Sequence, residues 1–230
     1  MLSAHYITGA LVPQIQRFDK MFSETVSPPF ANPEAQAEKV AHDCWDQKMS
    51  EPVGEYGPDE DAGDIADDAH QESLDFYFTM TAMHHTVLLN LFAAGVFHLF
   101  EQQAASLLAD WTGNRPDKPF AAFEALVSNK NGPAIDVKAA PTWSRINELR
   151  LVANVVKHAE GNSADQLRSV NDAYFKLPAV RGTPLGKDFG GAQMLGEPLT
   201  GEGLYITKDD YDAFVATVIE FWNWLAGVVG

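Results

Sequence analysis

Hydrophobic positions recur at spacings of three and four along most of the chain, the pattern of amphipathic helices rather than of alternating strands. Residues 3–25 read as a first helical segment interrupted at Pro13. "NPEAQAEKVAHDCWDQKM" starts a second, with Asn32 as its cap and Pro33 at the first helical position. From residue 65 to residue 111 the chain is helical and strongly apolar through "LDFYFTMTAMHHTVLLNLFAAGVFHLFEQQAASLLADW". No proline interrupts that run, so it predicts one very long helix or two in line. Apolar residues on more than one face mark it as the central helix of a bundle. "DKPFAAFEALVSNKNG" reads as a short helix ending at a glycine. "APTWSRINELRLVANVVKHAEG" predicts a longer one closed by Gly161, and "SADQLRSVNDAYF" opens a further helix with Ser163 as its cap.

Two stretches break the helical pattern. Residues 50–64, "SEPVGEYGPDEDAGD", concentrate proline, glycine and acid and read as a solvated loop leading into an acidic helix start. Residues 176–206 hold seven glycines and three prolines, too many for a helix, and "LYIT" within them suits one strand of a small hairpin. "GTPLGKD" departs from a phosphate loop in its glycine spacing, and Asp188 stands where Ser or Thr should bind magnesium. The closing helix, residues 207–230, carries Val215, Val218, Trp222, Leu225 and Val229 on one stripe and Phe214, Phe221 and Trp224 on another. Two apolar faces predict a core helix or a subunit interface, and with the second a homodimer. The fold expected is all-α: a single helical bundle of residues 1–230. Residues 1–49 form a helical extension, 65–175 the core, and 176–206 a Gly/Pro-rich insertion before the last helix.

Composition narrows the functions this fold can serve. With 46% hydrophobic residues in 230 the chain can bury a sizeable core. Its 32 acidic and 16 basic residues give a net charge of −16, which argues against non-specific binding to nucleic acid or to an anionic membrane. Any RNA contact has to be local. Residues 49 to 114 contain no lysine or arginine at all. The N-terminal "MLSAHYITGALVPQ" lacks a basic leader, no uninterrupted apolar stretch reaches bilayer length, and Cys44 is the sole cysteine, so a cytoplasmic location without a membrane is expected. Cys44 reads as a packed thiol, since neither His42 nor Asp46 shares its helix face. His84, His85, His98 and Glu101 invite a metal pair inside a bundle, yet no Glu-x-x-His pair occurs anywhere. His98 and Glu101, three apart, read as a helix-surface or core pair, and neither metal nor cofactor is expected.

The candidate chemistry lies in "ELRLVANVVKHAEGNS", residues 148–163. Arg150, Asn154 and His158 are spaced by four and fall within roughly 80° of one helix face. Leu149, Leu151, Val152, Val155 and Val156 bound that stripe with apolar surface. It either caps a buried network or lines a cleft.

"FAAGVFHLFEQQAASLL" followed some fifty residues later by "ELRLVANVVKHAEG" resembles the HEPN superfamily, helical domains of many prokaryotic defence and toxin–antitoxin ribonucleases. The resemblance covers roughly residues 65–175. It implies a metal-independent RNase site in which an arginine, four to six residues and then a histidine meet their counterparts from a second subunit in a shared cleft. Matched by the histidine, His158 takes the catalytic position and Asn154 the polar one, while Ala153 stands where the arginine belongs. Arg150 lies one turn upstream, with seven residues between it and His158.

RNA carries its own nucleophile in the 2′-hydroxyl, so such a site needs a proton-transfer group and a cation or donor for the crowded phosphate. His158 offers the first, an imidazole being the side chain that exchanges protons near neutral pH. Arg150 offers the second through its planar fork, Asn154 an orienting amide, and Lys157 a further substrate-binding charge. The expected function is RNA cleavage or RNA binding in a stress or phage-defence system, by a homodimer with an antitoxin or regulatory protein as a further partner. The alternative is a catalytically inactive dimerisation or regulatory module. There Arg150 pairs with an acid such as Glu101 or Glu148, and His158 helps to end its helix.

Overall fold

The computed structural model describes residues 4–50, 62–128, 134–183, 199 and 203–230, and among these the chain is all-α with no strand. Most of the acidic loop expected over 50–64 and of the Gly/Pro-rich insertion expected over 176–206, including most of "GTPLGKD", lies outside the described residues. We label the helices α1 (Val12–Met21), α2 (Pro33–Ser50), α3 (Ala62–Ala82), α4 (Leu89–Thr112), α5 (Pro119–Glu124), α6 (Trp143–His158), α7 (Asn162–Val170) and α8 (Lys208–Val229).

Local chemistry explains most of the boundaries. A π-helical turn, Ile7–Leu11, precedes α1, and Val12 N–H reaches back to Ile7 O. Pro13 follows at once, where a missing N–H and a bulky ring would disturb a regular α-turn. Asn32 caps α2 as expected, its Oδ1 accepting from Ala35 N–H at 3.1 Å. A second π-turn, Met83–Leu88, joins α3 to α4, so the long apolar run is not one uniform helix. α4 stops at Gly113, whose φ of 75° suits the left-handed cap that glycine adopts without strain. Two expected boundaries are corrected. α6 ends at His158 with Ala159 (φ 59°), rather than Gly161, as its C-cap. Gly161 instead precedes α7, which starts at Asn162 without a side-chain cap from Ser163.

The chain divides into two compact units, residues 1–23 with 85–230, and residues 24–84. That grouping differs from the one read from the sequence, in which residues 1–49 stood outside the core and residues 65–111 formed its central helix. In the smaller unit α2 and α3 pair as a hairpin, with Lys48 bonded to Asp68 and Phe30 stacked on His84 at 5.6 Å. Its buried apolar side chains among the described residues are Ala37 and Ala69, and Phe78 is 63% exposed. The first half of the apolar run is therefore surface, and only the second half is core. Cys44 sits in this hairpin; its hydrogen bond to Glu72, then burial, raise its thiol pKa, the opposite of an activated nucleophile.

In the larger unit α4 packs against α5, α6, α8 and α1. Aromatic rings hold the helices in place. Phe100 of α4 meets Phe123 of α5 at 6.2 Å and Phe221 and Trp222 of α8 at 5.4 and 5.2 Å, while Trp143 of α6 meets Phe221 at 5.7 Å. α1 comes in so close that a Cβ on Gly95 of α4 would lie 2.7 Å from the Phe18 ring. α8 is long and apolar enough to cross a membrane by length and composition. Both of its apolar stripes are used inside the unit, with Phe214, Val218, Phe221, Trp222 and Leu225 wholly buried, so it is a core helix.

The segment before α8 runs extended rather than pairing as the hairpin expected for "LYIT". Buried Asn90 takes the part of a neighbouring strand: its Nδ2 donates to Leu204 O at 2.7 Å and its Oδ1 accepts from Ile206 N–H at 3.2 Å. Tyr205 N–H donates to Tyr174 O at 2.8 Å. Thr207 and Asp210 then form a capping box, and Arg181 donates to Asp210 at 3.0 Å.

Two measurements follow from this segment. Asn90→Ala leaves a buried carbonyl and a buried N–H without their partner and should lower unfolding stability by about 1–3 kcal/mol, read from urea denaturation. A cost near zero would show that water replaces the amide. Burial pulls the Asp210 pKa upward, but the bonds from Thr207 and Arg181 outweigh it and hold the carboxyl below its ordinary 3.8. A depressed folded value means that its stabilisation is complete above pH 3.8 and is lost as the pH falls below it. The melting-temperature gap between wild type and Asp210→Asn should therefore be constant near neutrality and close as the pH falls from about 4 to 2. A gap unchanged across that range would contradict the assignment.

Candidate functional site

α6 separates two kinds of polar chemistry on its two sides. On one, buried Glu148 accepts from Arg145 at 2.7 Å and from Asn171 Nδ2 at 3.1 Å. Arg145 also donates to Tyr174 Oη at 2.8 Å and lies 4.4 Å from the Phe214 ring centre. Burial, then the Glu148 charge, push the Tyr174 pKa upward, so its hydroxyl stays protonated at neutral pH. Glu148 is thus the partner of Arg145 and not of Arg150.

On the other side Arg150 and Asn154 are half-buried and face an open cleft of about 310 Å³. Phe97, His98 and Glu101 of α4 form one wall; Asp117, Lys118, Phe120 and Ala121 at the start of α5 form the second. Arg150, Asn154 and Lys157 of α6 form the third. Arg150 is held in place: its Nε donates to Asn147 Oδ1 at 2.9 Å, and its guanidinium lies 5.3 Å from the Phe120 ring centre. Phe120 in turn stacks on Trp143 at 5.2 Å with the rings 14° apart. Arg150 thus brings a planar fork of donors to the lining of a cleft that Lys118 and Lys157 also line.

Three of the four residues expected at the site therefore meet, and one does not join them. His158, exposed in the last turn of α6, is not among the residues lining the cleft. Ala153, at the position where an arginine was expected, is 2% exposed and faces the core. The helix turns that position inward, so the cleft's arginine has to come from the next turn upstream. The histidine that does line the cleft is His98, with Nδ1 3.9 Å from Glu101 Oε2. Sequence reasoning treated that pair as helix surface or core. Its signal was present, two polar residues three apart in an otherwise apolar run, but only the packing of α4 on α6 shows which way they face.

The electrostatics are local. Lys118, Arg150 and Lys157 set three fixed positive charges against the two carboxylates of Glu101 and Asp117, in a chain of net charge −16. Such a cleft has the N–H donors to bind an oxyanion, and the His98 imidazole lines the same space. Among the described residues no group of three His, Cys, Asp or Glu side chains is arranged to hold a metal ion. In comparisons with known proteins, no family model, no curated protein and no solved structure matches the chain.

The two sides of α6 should respond differently to truncation. Glu148→Ala leaves half-buried Arg145 without its counter-charge and should cost about 2–3 kcal/mol in unfolding stability. Arg150→Ala gives up one hydrogen bond and one ring contact on the open side, about 1 kcal/mol. Equal losses in chemical denaturation would mean that Arg150 belongs to the structural network.

Proposed function

We propose that the protein binds RNA in the cleft between α4, α5 and α6 and cleaves it without a metal, as a HEPN-like component of a stress or phage-defence system. One observation carries this reading: Lys118, Arg150 and Lys157 converge on a single cleft in a strongly acidic chain, with the Arg150 fork fixed by Phe120 and Asn147. Phosphate is the group that a rigid guanidinium flanked by lysines fits best, and RNA supplies both the phosphate and the attacking 2′-hydroxyl. Asn154 adds a neutral donor and acceptor that can orient either. In this reading the protein acts as a cytoplasmic homodimer, and an antitoxin or regulatory protein governs its access to RNA.

A second reading has its own support. Ala153 is buried where the resemblance places an arginine, and His158 stands outside the cleft. Both features suit a catalytically inactive dimerisation or regulatory module.

Fluorescence anisotropy with a labelled single-stranded RNA tests the binding. The wild type should bind at low salt, with a slope of log K against log salt of about −0.7 for each phosphate neutralised. Arg150→Ala and Lys157→Ala should each weaken binding and flatten that slope by close to one phosphate equivalent. No binding at about 50 mM salt, or slopes untouched by both substitutions, would overturn the RNA reading.

A further inference from the structure

We propose that His98, not His158, is the catalytic proton-transfer residue of this cleft, with Glu101 as its positioning residue. The proposal rests on the RNA reading above and narrows it to one imidazole. Its ground is placement. His98 is the histidine lining the cleft that Arg150, Asn154 and Lys157 also line. It projects from α4, across the gap from the phosphate-binding side chains of α6, so a nucleotide seated between them has its phosphate on one wall and an imidazole on the other. His158 shares α6 with Arg150 but is absent from that lining. Glu101, one turn further along α4, sits 3.9 Å from His98 Nδ1. A small rotation of the Glu101 side chain would bring its carboxylate within hydrogen-bonding reach of Nδ1, the arrangement in which Nε2 is left as the free base. The other charged groups bordering the imidazole are Asp117 and Lys118 of the α5 wall and Arg150 and Lys157 of α6.

The step balances without a metal or a co-reactant. Neutral His98 Nε2 takes the proton from the 2′-hydroxyl as its oxygen attacks the adjacent phosphorus. The bond from the 2′-oxygen to phosphorus forms, and the bond to the 5′-oxygen of the next nucleotide breaks. Arg150 and Lys157 hold the non-bridging oxygens while charge accumulates on them. The departing 5′-oxygen takes a proton from water at the open mouth of the cleft, and the imidazolium returns its own proton to solvent. The products are a 2′,3′-cyclic phosphate and a 5′-hydroxyl end.

Single-turnover cleavage of a labelled RNA in EDTA, run beside the anisotropy assay, tests the assignment. His98→Ala should lose about a hundredfold or more in rate, the usual worth of general acid–base catalysis, while its RNA affinity stays within about threefold of wild type. Added imidazole should restore part of the His98→Ala rate, an effect that a purely structural histidine would not show. Glu101→Gln should lower kcat with KM unchanged, and His158→Ala should leave both rate and affinity within about threefold. His98 is exposed, so its variants should melt close to wild type, and His98→Gln serves as the alternative if alanine disturbs α4. Loss of cleavage in His158→Ala with full activity in His98→Ala overturns the proposal and leaves the RNA-cleaving reading in place. Binding without cleavage by the wild type also overturns it, leaving an RNA-binding module. Neither binding nor cleavage removes both.

Discussion

Phe120 is where the core of the larger unit and the candidate cleft become one structure. Its ring stacks on Trp143 and lies 5.3 Å from the Arg150 guanidinium. Trp143 is locked by Phe221, which with Trp222 packs on Phe100 and Phe123. Four helices contribute to that cluster: α4, α5, α6 and α8. Each aromatic pair adds about 0.5–1.5 kcal/mol beyond its burial, so the cluster as a whole outweighs any single polar contact at the cleft. The direction of Arg150 is therefore set by packing. A guanidinium steered only by solvent-exposed partners would sample many rotamers and lose entropy on meeting an anion. One resting on a ring that cannot move has already given up most of that freedom.

The division of labour on α6 follows from where its charges are buried. Glu148 is enclosed and meets its obligations through Arg145, Asn171 and, by way of Arg145, Tyr174. An ion pair with one buried member adds little net stability over an apolar equivalent, but stripping buried Glu148 of its partner is costly, so the pair works with the apolar face of α6 as a constraint on register. It fixes the rotation of α6 about its axis. That rotation turns Ala153 inward and leaves Arg150, Asn154 and Lys157 on the open side. The placement of the cleft residues is thus a consequence of satisfying Glu148 on the opposite face.

How much of this could be read in the sequence depended on the range of the interactions involved. The all-α class, the Asn32 cap, the core role of the closing helix and, of the polar stripe at 150, 154 and 158, its first two members are encoded in spacings of two to four residues. What could not be read depends on distant partners or on small torsional choices. The exposure of Phe78 against the burial of Phe100 is invisible in an apolar run that contains both. The bond from Asn90 to the segment before α8 spans 114 residues and replaces a hairpin that the local pattern suggested. Gly161 was the natural helix stop by composition, yet buried Ala159, itself at positive φ, ends α6 two residues earlier. His98 belongs to the same class: its spacing from Glu101 was legible, its position opposite Arg150 was not.

The acidity of the chain and the basicity of the cleft act over different distances. At physiological ionic strength the Debye length is about 8 Å, so most of the net −16 charge is screened from a ligand already seated beside Arg150. The same charge is felt by a polyanion that approaches along any other part of the surface. For the RNA ligand proposed above, this charge slows encounter and has little effect on a group seated beside Arg150, Lys118 and Lys157. On that proposal the balance disfavours duplex or bulk nucleic acid, whose flanking phosphates would meet the acidic surface, and favours a short or locally extruded segment. The clustering of Lys118, Arg150 and Lys157 in a chain with no lysine or arginine from residue 49 to residue 114 concentrates attraction at one point of an otherwise repelling molecule.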